Sequence, residues 1–366
     1  MIYLDHHATT PLDPRVLEAM LPYFKNLYGN PASRTHKFGW DAEDAVETAR
    51  EQLAALVNCS PHNIIFTSGA TESNNIVLQQ PFKSIITSTI EHSSVIETCT
   101  QMGKNGRELN FLKPNKYGIV DANQLKDLPE PDLVSLMFVN NEIGTIQNIS
   151  GIDSLRGSNT LFHSDMAQAL GKISVDVEKL NVDFASFSAH KIYGPKGVGA
   201  LYVKKFAKLV PTMFGGKQEY GKRPGTLNVP AIVGFGKACE IIKNELEDTR
   251  VKLSINADLF LEQIFSKLDG VKYHNFYPKV PGSIHISLPC NDMTHLLGML
   301  SSDVAVSITG ACMSINNEPS RVLKEVGMSE EEAKRSIRVC VGKFNTSKEI
   351  SDGVDFIVKA VKKIGG

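Results

Sequence analysis

SFSAHKIYGPKGVGALYV, residues 186–203, sets one lysine, Lys191, between a strand-like run and a glycine-bearing turn. The residues before it, 183–188, alternate and carry aromatics, and 197–203 reads as a second strand. Lys191 therefore falls where a buried strand ends. In an α/β sheet, ligands bind outside the carboxyl ends of the strands, where an amine loses hydration. A lysine so placed is either a structural turn residue or an amine able to form a Schiff base.

Further strands are predicted at 63–67, 84–88, 132–139 and 160–164, several separated by lengths that hold a helix. That pattern predicts an α/β fold with an open, mostly parallel sheet covered on both faces. Asp13 followed by Pro14 opens a helix, DPRVLEAMLPYF. A longer helix follows, with Phe38, Ala42, Ala45, Ala49, Leu53 and Leu56 forming one apolar stripe. Beyond about residue 245 the texture changes. The helical VKLSINADLFLEQIFSKL, the short strands SIHISL, VAVS and SIRVCV, and capping pairs at Ser329/Glu332 and Thr346/Glu349 predict a smaller α+β domain.

The chain has 366 residues, 42% of them hydrophobic, and a net charge of -1, so it can bury a sizeable core and has no electrostatic footprint for nucleic acid or an anionic membrane. No run of about 18 apolar residues occurs, and the start MIYLDHHATTP has neither the basic nor the apolar region of an export signal. A cytoplasmic location is expected. The six cysteines show neither CxxC pairs nor zinc-ligand spacing, so no metal site is predicted. Cys239 and Cys340 lie in apolar runs and read as buried, whereas Cys312, in the polar SITGACMSINNEPS, reads as a loop thiol.

Other polar groups fall at predicted strand ends. Gly69-Ala70-Thr71-Glu72-Ser73 opens a helix, as a phosphate cradle or as an ordinary helix start. Asp165 ends one strand and Lys191 the next, so neighbouring strands bring a carboxylate and an amine to one rim. A pyridine cofactor needs that pair, because the acid keeps the ring nitrogen protonated. Ser188 and His190 supply donors suited to a phosphate, Gln168 lies within reach of a ring hydroxyl, and His92 and Asn141 end two other strands. A lone histidine such as His92 reads as a packed core residue rather than a stacking partner, and only its place among several polar residues at one rim favours the second role. The run 194–199, GPKGVG, superficially suggests a dinucleotide loop, but it lacks GxGxxG spacing and is followed by a strand rather than a helix. Pyridoxal phosphate accounts for more of these residues with one ligand.

The segments YLDHHATTPLDPRV, GNPASRTHKFG, FTSGATESNN, VNNEIG, HSDMAQALGK, SFSAHKIYGPKGVGALYV, RPGTLN and the GAC loop follow the order seen in cysteine desulfurases of the type serving iron-sulfur cluster assembly and nitrogen fixation. The resemblance runs over nearly the whole chain. It implies a fold-type I enzyme dependent on pyridoxal 5'-phosphate: a homodimer with a seven-stranded large domain at 15–245 and a small domain formed by 1–14 and 246–366. By position, Lys191 would carry the cofactor, Asp165 pair with its ring nitrogen, Gln168 contact its hydroxyl, and His92 stack on the ring and assist proton transfer, with Asn141 beside it. Ala70, Thr71, Ser188 and His190 would hold the phosphate, joined by Thr226 of the other subunit. Arg338, assisted by Asn30, matches the group that grips the carboxylate of L-cysteine, and Cys312 the thiol that takes sulfur as a persulfide for a protein acceptor such as an iron-sulfur scaffold. A selenocysteine lyase, or another fold-type I aminotransferase, is the alternative the same pocket allows. Departures from the family pattern are Thr309-Gly310-Ala311-Cys312 for Gly-Ser-Ala-Cys, Ala189, Lys217 and Lys343 at family positions of other residues, and a short C-terminus.

Overall fold

The computed structural model describes residues 1–308 and 320–365. Cys312, with the rest of its loop, lies outside the described residues. The chain begins with β1 (Ile2–Tyr3), α1 (Pro14–Lys25) and α2 (Lys37–Val57). Asp13 caps α1 by accepting from the Arg15 N–H, and Pro14 occupies the first turn, where its missing donor is not needed. The stripe on α2 is buried from Ala42 to Leu53, but Phe38 at its start is 47% exposed, so the apolar face begins one turn later than its spacing predicts.

Next come β2 (Ile64–Thr67), α3 (Ala70–Leu78), β3 (Ser84–Ser88), α4 (Ser93–Lys104) and β4 (Glu108–Leu112), followed by β5 (Leu133–Ser135), β6 (Leu161–Asp165), β7 (Phe184–Ser188) and β8 (Gly199–Val203). These strands form a seven-stranded sheet in the order β2-β8-β7-β6-β5-β3-β4. All pairings from β7 to β4 are parallel, and β8 runs antiparallel to both its neighbours. β4 pairs with β3 although its ELNFL sequence gives no clear alternation. β5 stops at Ser135, four residues short of the predicted strand, because the chain leaves the ladder for an isolated bridge between Val139 and Ile146.

Side-chain alternation sends each strand to two cores. Ile64, Phe66, Ala185, Phe187, Ala200 and Tyr202 pack with α1 and α2 on one face, while Ile65, Phe184, Leu201 and Val203 pack with α3 and α4 on the other. Fully buried aromatics such as Phe162 and Phe187 each contribute roughly 1.5–3 kcal/mol of transfer free energy.

A single helix, α5 (Val229–Lys267), runs for 39 residues and joins the two apolar runs that the sequence separates near 245. Its first half packs on the sheet, and Leu253, Phe260 and Ile264 belong to a further core. That core is completed by β10 (Ser283–Ser287), α6 (Met293–Leu300), β13 (Ser336–Cys340) and α9 (Ser347–Ile364), and by Leu4 from the N-terminus. β9 (Lys272–Tyr273) and β12 (Ser307–Ile308) flank β10 and β13 in a four-stranded antiparallel sheet, and β11 (Val304–Ala305) pairs with β1. The short helices α7 (Arg321–Glu325) and α8 (Glu330–Lys334) lead into β13. Thr346 and Glu349 form the predicted reciprocal cap of α9.

Candidate functional site

The site lies at the carboxyl rim of the seven-stranded sheet. Asp165 is the last residue of β6, and Lys191 follows β7 by three residues; the two strands pair in parallel with Asp165 opposite Ser186. β2 runs in the same sense as β7, because β8 is antiparallel to both, so the turn after β2 reaches the same rim. There Gly69 caps α3 at φ +157°, a conformation that a side chain would strain. A Cβ on Gly199 would lie 2.5 Å from the Gly69 Cα, so a glycine on β8 admits this turn against the sheet. The Gly69 side-chain position would face the Ser188 hydroxyl at 3.9 Å.

The Lys191 ammonium donates to the carbonyls of His7 at 2.5 Å and Ala8 at 2.8 Å. Burial, and then the positive charge of Arg338, lower its pKa to about 8, while Asp165 pulls the other way. His190, lowered to about 4 by burial and by Lys191, has its Nδ1 3.1 Å from the Thr9 hydroxyl. Gln168 donates through Nε2 to the His7 carbonyl at 2.9 Å and accepts on Oε1 from Lys172 at 2.7 Å. Since an ammonium only donates, Lys172 fixes which end of that amide faces His7. Lys172 is itself buried, and burial, then repulsion from Lys191, lowers it to about 7.

Asp165 is 7% exposed and accepts from Asn74 Nδ2 at 2.8 Å and from the Ala167 N–H at 3.0 Å. Among the described residues no ion pair engages it, although it is a buried carboxylate, a group normally paired with a cation. His92, four residues beyond β3, caps α4 by accepting from the Ser94 N–H. Arg338, in β13, pairs with Asp5 at 2.6 Å and donates to the Asn141 carbonyl at 2.8 Å and to the Ser307 hydroxyl at 3.2 Å. Its buried Nε has no hydrogen-bond partner among the described residues.

Lys191, Asp165, Gln168, His190, Asn141 and Arg338 thus meet through residues 5–9 of the N-terminal segment or through one another's fields, and His92 joins Asp165 through Ser94 and Asn74. Thr71 is exposed at the start of α3, beside Ala70. Asn30 and Thr226 are exposed on loops, and no hydrogen bond joins either to this group. Asp5, His7, Asn74, Ser94 and Lys172 belong to the site without being among the residues expected there from sequence. The i, i+4 spacing of Gln168 and Lys172 was a usable signal, whereas nothing local links Asn74 to Asp165.

The donor set fits a phosphorylated pyridine aldehyde. It offers a desolvated amine, a buried carboxylate without an ion pair among the described residues, and a glycine-admitted turn with helix N–H groups near a serine hydroxyl.

The family model described as Aminotransferase class-V matches residues 2–352, and the chain belongs to that family. A cysteine desulfurase, IscS, of Anaeromyxobacter dehalogenans (strain 2CP-C) is 43% identical over 376 residues, spanning 99% of this chain and 93% of that protein. Among solved structures, a NifS-like protein superposes with a TM-score of 0.90 at 35% identity, covering 99% of this chain and 98% of the other. SspA in complex with cysteine superposes at 0.84 with 32% identity, over 94% and 100% of the two chains. No helix among the described residues is long and apolar enough to cross a membrane.

Proposed function

We propose that the chain is a pyridoxal-5'-phosphate-dependent cysteine desulfurase acting as a cytoplasmic homodimer, with a large cofactor-binding domain at 15–245 and a small domain formed by 1–14 and 246–366. The observation that carries this reading is the placement at one rim of a desolvated amine, Lys191, and a buried carboxylate, Asp165, that no ion pair engages among the described residues. The likeness to proteins named as cysteine desulfurases, one solved with cysteine, supports the substrate.

Lys191 would hold the cofactor, Asp165 its ring nitrogen, Gln168 its hydroxyl, and Ala70, Thr71, Ser188 and His190 its phosphate, together with Thr226 from the second subunit. Bound there, the cofactor supplies an electron sink for charge developing on the substrate α-carbon. Arg338, with Asn30, binds the substrate carboxylate through a guanidinium held rigidly by Asp5. Lys191, its amine largely desolvated, moves the α-proton, with His92 assisting and Asn141 beside it. The Cys312 thiolate forms an S–S bond with the substrate sulfur as the sulfur's bond to Cβ breaks. The electron pair stays with carbon, which takes up a proton to give L-alanine, and the persulfide passes to a protein acceptor such as an iron-sulfur scaffold.

The test incubates purified protein with L-cysteine and a reductant and quantifies alanine and sulfide. Cys312→Ser is expected to keep the yellow cofactor band and lose sulfide release, and Lys191→Ala to lose both normal cofactor attachment and turnover. Undiminished sulfide from Cys312→Ser removes the persulfide step, and full activity of Lys191→Ala removes the assignment of the amine.

A further inference from the structure

A continuous hydrogen-bonded chain links the two residues on which the ring reading depends. Asp165 Oδ2 accepts from Asn74 Nδ2 at 2.8 Å, the same amide nitrogen donates to Ser94 Oγ at 2.8 Å, and Ser94 Oγ lies 2.8 Å from His92 Nδ1. The Ser94 backbone N–H also donates to that Nδ1, at 3.1 Å. Asn74 is completely buried and Ser94 nearly so. Bulk water therefore offers no alternative partners to the Asn74 amide.

Donor bookkeeping sets the direction of every proton in it. A carboxylate only accepts, so the nitrogen end of the Asn74 amide faces Asp165. With its second hydrogen given to Ser94 Oγ, that hydroxyl has its own hydrogen left for His92. Nδ1 receives both this hydrogen and the Ser94 backbone N–H, so it carries no proton. The neutral ring then holds its hydrogen on Nε2, which makes no hydrogen bond among the described residues. Among the described residues the arrangement leaves the buried Asn74 Oδ1 without a partner, an unfavourable feature that turning the amide would remove only by setting two oxygens against each other at Asp165.

We propose that Asn74 and Ser94 are positioning residues that hold His92 in its Nε2–H tautomer and couple that state to the charge on Asp165. The meaning of the coupling rests on the proposed function: it presents an N–H, rather than a lone pair, from the residue assigned to the cofactor ring face. The tautomer itself does not depend on that function. If Asp165 is made an amide, Asn74 is free to turn and offer Oδ1 to Ser94, whose hydroxyl then donates to Asn74 instead of His92. Nδ1 is left with one donor of two.

The test is nitrogen-15 NMR of the full chain labelled at histidine, without added cofactor and at a pH where the ring is neutral, with His92→Gln identifying the resonances. The wild type is expected to show Nε2–H as the dominant form, with a minor Nδ1–H population. Ser94→Ala and Asp165→Asn are each expected to raise the Nδ1–H population about fivefold, the equilibrium weight of one neutral hydrogen bond. Ser94→Ala places a good helix former in α4, and Asp165→Asn is an independent perturbation should the first variant misfold. An Nδ1–H signal dominating the wild type, or populations in both variants equal to the wild type, overturns the proposal. Adding pyridoxal phosphate to the wild type afterwards separates the two readings: absence of a yellow band sinks the functional assignment and leaves the tautomer result standing.

Discussion

The depressed pKa of Lys191 gives a quantitative expectation for its reactivity. A pKa of about 8 in place of 10.5 leaves about one amine in ten neutral at pH 7, against roughly one in 3,000 for an ordinary lysine, a ratio of ~300. Burial is the largest cause, the charge of Arg338 comes next, and Asp165 opposes both. Reductive methylation of the cofactor-free protein with formaldehyde and cyanoborohydride, followed by peptide mass spectrometry, reads the neutral amine directly. Lys191 should be modified with a midpoint near pH 8. Arg338→Gln should move the Lys191 midpoint upward and Asp165→Asn downward, opposite signs that a change in access alone does not produce. The folded value lies below the unfolded one, so the unfolded chain binds more protons between pH 8 and 10.5, and this group's contribution to stability improves as pH rises through that window. A midpoint near 10, or shifts of the same sign in the two variants, refutes the reasoning.

Two further outcomes follow from buried charges. Glu219 accepts twice from Arg50 at 2.8 Å and from the Phe66 N–H at 2.7 Å, with both side chains almost inaccessible, so Glu219→Gln should cost about 3–5 kcal/mol in denaturant unfolding, and adding Arg50→Met should recover part of it; a loss below 1 kcal/mol contradicts this account. Asp13 is held well below the usual carboxylate range: burial raises it, but hydrogen bonds from Arg15 and Lys343 outweigh burial. Its stabilisation is therefore present above the ordinary value of 3.8 and lost as pH falls below it, so Lys343→Met should narrow the difference in unfolding free energy between pH 7 and pH 3, and an unchanged difference rules the pair out as its source.

Local chemistry was enough to find the strand that ends at Asp165 and the one that ends just before Lys191, the proline-started α1, the glycine turn before α3 and the cap of α9. Each of those signals lies within a few residues of the feature it reports. The same locality explains the misses: ELNFL pairs as β4 because β3 offers it an edge, Phe38 faces solvent because the α2 interface starts later, and α5 runs unbroken because both cores receive it. The residue types able to perform the chemistry, Lys191, Asp165, Gln168, His92 and Arg338, were visible in the chain before any fold was known. Tertiary structure alone decided what surrounds them: the carbonyls of His7 and Ala8 around the amine, Asp5 on Arg338, and the Asn74 link from Asp165 to Ser94 beside His92. Those partners are distant in sequence or carry no local pattern, and hydrogen-bond direction and dehydration exist only once sheet order has brought them together.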